Sequence, residues 1–254
     1  DDVAIGGKGF ERRGVGEGGI VHANCRSFVG AYPLAVRHSL TLAELALYLN
    51  ATENWRASIE ILKLKNWERG QLYPDTGALW VQPSPNMPTV DTAVVYPGTC
   101  LFEGTNVSEG RGTTRPFEII GAPFIDAKKY TEALNTLNLP GVYFRPVYFK
   151  PTFHKFQDSV CGGAFVHVTD RARFESFYTG LMMVRTAHDL WPHEFDWRRE
   201  PYEYVNDVLA IDLLTGAPMF RLAVEKGDAL TTYRASYEEE GRAFARQAKE
   251  FYLY

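Results

Sequence analysis

Cysteine is scarce in this 254-residue chain. Cys25, Cys100 and Cys161 are the only three, enough for one disulfide and a spare thiol. No C-x-x-C pair offers zinc or thioredoxin-like chemistry. The six histidines contain no H-E-x-x-H, and there is no G-x-S-x-G, which removes the zincin arrangement and the nucleophile elbow. Long apolar runs are missing as well. The run from Leu42 to Leu49 is broken by Glu44, far short of the ~20 apolar residues a spanning helix needs. Nor is there an excess of positive charge. Lys and Arg number 27 against 31 Asp and Glu, a formal net charge of −4 with a pI near 5.9, so the basic surface that nucleic acid or an anionic membrane requires is absent. We expect no nucleic-acid partner and no membrane span. No charged n-region with an apolar h-region behind it opens the chain, so no signal peptide is visible.

What the chain does have is apolar and aromatic mass, 45% and 14% of its residues, enough to bury a large core. Residues 1–24 hold Gly6, Gly7, Gly9, Gly14, Gly16, Gly18 and Gly19 among charged residues and read as a glycine-rich arm or linker before a domain at 25–254. A phosphate-binding loop would need a strand before these glycines and a helix after them, and neither is evident. Thr41-Leu-Ala-Glu44 is a capping box, followed by Leu42, Leu45, Ala46 and Leu49 at helical spacing. Ile59, Ile61 and Leu64 between lysines predict a strand. Asp126 predicts the cap of a helix carrying Tyr130, Leu134 and Leu137, which Pro140-Gly141 ends before a strand at Val142 to Phe149. Ala164, Val166 and Val168 predict another strand. Asp170 is placed to cap a helix through Phe174, Phe177, Leu181, Val184 and Leu190, and Tyr204, Val208 and Ile211 suggest one more. Ser236 with Glu239 reads as a capping box before a closing helix with Phe244 and Ala248 on one face. Strands early and helices late predict an α+β fold: a mixed sheet with flanking helices and a helix-rich C-terminal third.

Chemistry concentrates in Tyr96 to Glu118. The stretch carries Glu103, Glu109, Glu118, Arg111, Arg115, Asn106 and several hydroxyls, with glycines at 98, 104, 110 and 112 that permit turns and close approach. Glu103 and Glu109 are candidate catalytic carboxyls for glycoside chemistry, provided the chain between them folds back so that they lie within roughly 5–10 Å. Arg111 and Arg115 suit an anionic substrate. Asn86, Asn106, Thr113 and Thr114 suit sugar hydroxyls or amides. The competing reading is a structural loop whose charges pair with one another and whose hydroxyls serve turns. His38 and His154 stand at element ends and read as structural, since a lone histidine needs a positioned partner. No metal ligand set is present, and no cofactor is called for.

The strings Pro83-Ser-Pro-Asn-Met-Pro-Thr89, Val95-Tyr-Pro-Gly-Thr-Cys-Leu-Phe-Glu-Gly-Thr-Asn106 and Ser108-Glu-Gly-Arg-Gly-Thr-Thr-Arg-Pro-Phe-Glu118 resemble hallmark segments of the NamZ-type exo-β-N-acetylmuramidase family. The resemblance runs from about Arg26 to Tyr254 and covers the C-terminal part of such proteins. It implies a peptidoglycan-degrading hydrolase that releases terminal N-acetylmuramic acid from sugars or muropeptides, periplasmic or secreted. The sugar site would lie in a cleft between this part and a Rossmann-like N-terminal domain. It also implies that most of that N-terminal domain, with its Gly-Pro-Glu-His segment, is not in this chain, so the chain by itself is expected to be inactive. The partner domain would then come from a separate segment or a larger assembly. The alternative is a non-catalytic structural subunit or glycan-binding module. One local departure stands out: the family's Arg-His-Gly is Arg37-His38-Ser39 here, where glycine would permit a backbone shape that serine resists.

Overall fold

A computed structural model describes residues 17–254. The part of the glycine-rich segment before Glu17 lies outside the described residues. Its last residues form β1 (Glu17–Ile20), paired antiparallel with β2 (Ala35–Arg37). Helix α1 (Leu42–Thr52) starts at the expected capping box: Thr41 accepts from the Glu44 N–H, and the Glu44 carboxylate accepts from the Thr41 N–H at 2.8 Å. The strand expected at Ile59 to Leu64 does not form; the segment is irregular and mostly exposed. A strand must pair its backbone groups with a neighbour, and here the Leu64 N–H goes instead to the Tyr254 hydroxyl at 2.6 Å.

Helix α2 (Val90–Thr99) and a 3-10 turn at Cys100–Gly104 lead into the glutamate-rich loop, which ends in β3 (Ile119–Ala122). Asp126 caps α3 (Ala127–Thr136), accepting from the Lys129 N–H at 2.8 Å. Strands β4 (Val142–Phe149) and β5 (Cys161–Val168) then form a hairpin, and the sheet order is β3-β5-β4, antiparallel throughout. Pro146 is tolerated because β4 is an edge strand. The Asn135 amide binds both the N–H and the C=O of Phe144, covering part of that edge.

Helix α4 (Ser176–Leu190) begins later than Asp170 implied. The Asp170 carboxylate closes a turn on the Ala172 N–H. The helix expected through Tyr204 is confined to α5 (Ala210–Thr215), because Glu203 and Tyr204 take positive φ, which a right-handed helix excludes. After α6 (Met219–Lys226), helix α7 (Thr231–Ala248) starts more than a turn before Ser236. The expected capping box at 236–239 is therefore helix interior, and Glu239 pairs with Arg242. The architecture is α+β with a helix-rich final third. One core joins Phe102, Ile120, Tyr130, Phe144, Phe177, Leu181 and Phe220, and a smaller one joins Leu40, Tyr48 and Leu49 of the α1 region to Phe244 and Ala248 of α7.

Candidate functional site

The glutamate-rich loop is positioned from both ends. At its start, Pro97 lies inside α2 and has no N–H to give to the helix ladder. Ser176 of α4 secures the same turn, accepting from the Gly98 N–H at 3.1 Å and donating to the Val95 C=O at 2.9 Å. The two helices meet so closely there that a Cβ on Gly98 would stand 1.8 Å from the Ser176 carbonyl oxygen. Further on, Thr105 bridges to Trp197, and Ser108 bridges to Gly121. Gly112 sits at φ +81 with the β4–β5 hairpin loop directly against it. A Cβ there would be 2.7 Å from the Phe153 N, and Thr152 donates its N–H to the Gly112 C=O at 2.9 Å. This contact carries His154 and Lys155 onto the glutamates.

Glu103 and Glu109 do come together, on one guanidinium. Arg111 donates from Nη2 to Glu103 Oε1 at 2.5 Å and from Nε to Glu109 Oε1 at 3.1 Å, over the ring of Phe117. The other oxygen of Glu103 accepts from the Tyr202 hydroxyl at 2.5 Å. Glu109 is fully buried. Its Oε2 accepts from Lys155 Nζ at 2.8 Å, and its Oε1 lies 3.2 Å from His154 Nδ1. Burial by itself raises the Glu109 pKa, but His154 and Lys155 outweigh it and hold the carboxyl at about 2. Burial lowers the Lys155 pKa, opposed by Glu109; the ammonium also donates to the carbonyls of Phe102 and Val107. Burial and then Glu103 raise the Tyr202 pKa, so Tyr202 remains a proton donor. The cluster is thus a set of mutually satisfied groups, with Glu109 a fixed negative charge at neutral pH.

Beside it opens a cleft of about 490 Å³, whose walls include Asn106, His154, Lys155, Asp196, Trp197 and Arg198; His154 and Lys155 join it to Glu109, while Glu103, Glu109 and Arg111 themselves lie behind its lining. Of the expected substrate-binding residues only Asn106 lines it, and its amide is engaged with the Glu194 C=O and the Asp196 N–H. Thr113 closes a turn on the Gly110 C=O, and Thr114 is exposed. Arg115, side chain 44% exposed, pairs with Glu118, whose buried carboxylate accepts from the Thr92 hydroxyl. Asn86 is half-buried in its own turn, away from the cleft lining. Sequence reasoning set His154 aside and missed Lys155, Arg198 and Tyr202. The available signal was the charged and aromatic run from Asp196 to Tyr202. Among the described residues no group of His, Cys, Asp and Glu is arranged to hold a metal ion, and no helix is long and apolar enough to cross a membrane.

This chain is 42% identical over 238 residues to the peptidoglycan beta-N-acetylmuramidase NamZ of Bacillus subtilis (strain 168), a match that covers 94% of this chain and 56% of that protein. Two crystal structures of DUF1343 family proteins from Bacteroides fragilis NCTC 9343 share the fold. One has a TM-score of 0.82 at 27% identity, covering 94% of this chain and 62% of that one. The other has a TM-score of 0.69 at 25% identity, covering 95% and 63%. The chain therefore spans a little over half the length of the relatives it matches. Residues 94–254 match the family model described as exo-beta-N-acetylmuramidase NamZ, C-terminal, and residues 12–91 match its N-terminal counterpart, so the chain covers parts of both family regions and not the C-terminal one alone as expected. With nearly its whole length taken in by these two matches, the chain belongs to the NamZ family.

Proposed function

We propose that this chain forms one wall of the sugar site of a peptidoglycan-degrading glycoside hydrolase that releases terminal N-acetylmuramic acid and works in the periplasm or outside the cell. The observation that carries the reading is the meeting of Glu103 and Glu109 on Arg111, joined through Glu109 to His154 and Lys155 in the wall of an open cleft, in a relative of a peptidoglycan β-N-acetylmuramidase. Glycoside hydrolysis needs one carboxyl to protonate the leaving oxygen and a second group to act as nucleophile or base. Glu109, buried and ionised, suits a fixed charge that organises the site. Glu103, the less buried of the two with Arg111 and Tyr202 as partners, is the carboxylate we assign to the sugar. Arg111 is spent on both glutamates and Arg115 lies outside the cleft lining, so the lactyl carboxylate of the sugar would meet Arg198.

The test is turnover of a chromogenic N-acetylmuramic acid substrate by this chain joined to the remaining N-terminal portion of a close relative, with this chain alone as the comparison. We expect turnover only when both parts are present. Glu103→Gln should lower it more than Glu118→Gln, because Glu118 is more deeply buried and turned to Thr92 and Thr89, away from the Arg111 pair. The full engagement of Glu109, Arg111 and Lys155 favours one other reading, a glycan-binding or structural module. Muramic acid binding without turnover in the joined protein would establish that reading instead.

A further inference from the structure

The β4–β5 hairpin loop holds a residue that the carboxylate pair does not account for. His154 has φ +69, followed by Phe156 at +55 and Asp158 at +61, a conformation that side chains with a Cβ resist. Such strain persists where the surroundings impose it, and it clusters at ligand sites. Here the surroundings are the Gly112 contact and the turn that returns the Asp158 N–H to the Pro151 C=O at 2.9 Å. The result is a ring with Nδ1 set 3.2 Å from the buried Glu109 carboxylate while the side chain stays 42% exposed in the cleft wall.

The neighbouring charges are otherwise matched. Lys155 is held by Glu109, Arg199 by Asp196, and Arg198 lies 3.9 Å from Glu200. An ionised carboxylate beside Nδ1 favours the proton on that nitrogen, because a fixed partner on one ring nitrogen sets the role of the other. Nε2 is then a hydrogen-bond acceptor, and no partner for it is found among the described residues.

We propose that His154 is a ligand-binding residue of the cleft: Glu109 fixes its Nδ1–H tautomer, and its Nε2 accepts a hydrogen bond from a hydroxyl of the bound sugar. The choice of a sugar rests on the function proposed above; the tautomer rests on geometry alone. The experiment is long-range 1H–15N correlation on the chain labelled with 15N-histidine near pH 7.5, with His154→Gln identifying the resonance. We expect the ring proton on Nδ1, facing Glu109, and an Nε2 resonance that moves when N-acetylmuramic acid is added. By calorimetry His154→Phe should weaken binding of that sugar about tenfold, the cost of one lost hydrogen bond, with its melting temperature showing that the fold is kept. A ring protonated at Nε2 in the unsubstituted chain overturns the Glu109 arrangement. A sugar that binds without moving Nε2 or heeding His154→Phe overturns the ligand contact. Absence of sugar binding altogether, with the tautomer as expected, overturns the sugar reading of the cleft and not the histidine arrangement.

Discussion

Ser39 shows how one residue can hold a backbone conformation that does not suit it. It takes φ +58 and is buried with its hydroxyl oxygen unpartnered. The left-handed conformation costs a non-glycine residue about 1–2 kcal/mol, and an unsatisfied buried hydroxyl adds about 1–3 kcal/mol. Glycine's extra freedom in the unfolded chain offsets about 0.4–1 kcal/mol. Ser39→Gly should therefore stabilise the protein by about 1 kcal/mol or more, read as a higher urea midpoint; a lower midpoint would show that the serine is not strained. Glu109 is the opposite case, a residue whose surroundings suit it when ionised. Its folded pKa of about 2 lies below the ordinary carboxylate value of about 4.5, so the folded state favours the ionised form. Its contribution is fully present above about pH 4.5 and is lost as pH falls from there through about 2. Glu109→Gln should cost about 3–5 kcal/mol at neutral pH, since Lys155 and Arg111 would lose their buried counter-charge. It should also flatten the stability profile between pH 4.5 and 2, as followed by circular dichroism.

At the scale of elements, the capped helices were legible because their signals are local. Thr41 and Asp126 mark α1 and α3, and their side chains accept from the N–H groups three residues on. Thr41→Ala should cost about 0.5–2 kcal/mol, measurable by chemical denaturation; an unchanged midpoint would remove the cap as the reason α1 starts there. The strand at Ile59 to Leu64 was misread because alternation reports which side chains want burial, while a strand also requires a neighbouring backbone. The late start of α4 and the early start of α7 have the same kind of cause. Asp170 and Ser236 can each serve a cap or a turn, and packing decides which. Gly98 belongs to this scale, since it governs how two helices meet. Gly98→Ala should lower stability by about 2–3 kcal/mol, because a methyl group overlapping the Ser176 carbonyl forces α2 and α4 apart. Differential scanning calorimetry checks this, and a melting temperature equal to that of the parent would show that the helices separate freely.

For the whole molecule, closure depends on the C-terminal residues returning to the start of the described chain. Buried Glu44 pairs with Arg69 and accepts from the Leu253 N–H at 2.7 Å, and the Arg69 guanidinium lies 3.6 Å over the Tyr252 ring. Tyr254 holds Leu64 and packs edge-on against Trp67. Removing residues 252–254 should cost about 1–3 kcal/mol, from one cation–π contact and one charge-assisted hydrogen bond. It should also open the stretch around residues 61–69 to limited proteolysis, whereas an unchanged cleavage pattern would show that the tail is a passenger.

The sequence by itself determined the class of fold, the caps of α1 and α3, the β4–β5 hairpin strands and the loop where chemistry concentrates. Each of these rests on residues within a turn or two of one another, or on hallmark strings long enough to place the chain in its family. Only the tertiary structure decided that Glu103 and Glu109 share Arg111, that Glu109 is shut away from solvent, that Asn106 holds the backbone of Glu194 and Asp196, and that Thr113 serves the loop's own backbone. It also brought His154 and Lys155, some 45 residues downstream of Glu109, against that carboxylate. The physical reason is that ionisation, burial and partnership are set by neighbours in space. Here the neighbours arrive through an edge hairpin docked on Gly112, a contact that no spacing in the chain records.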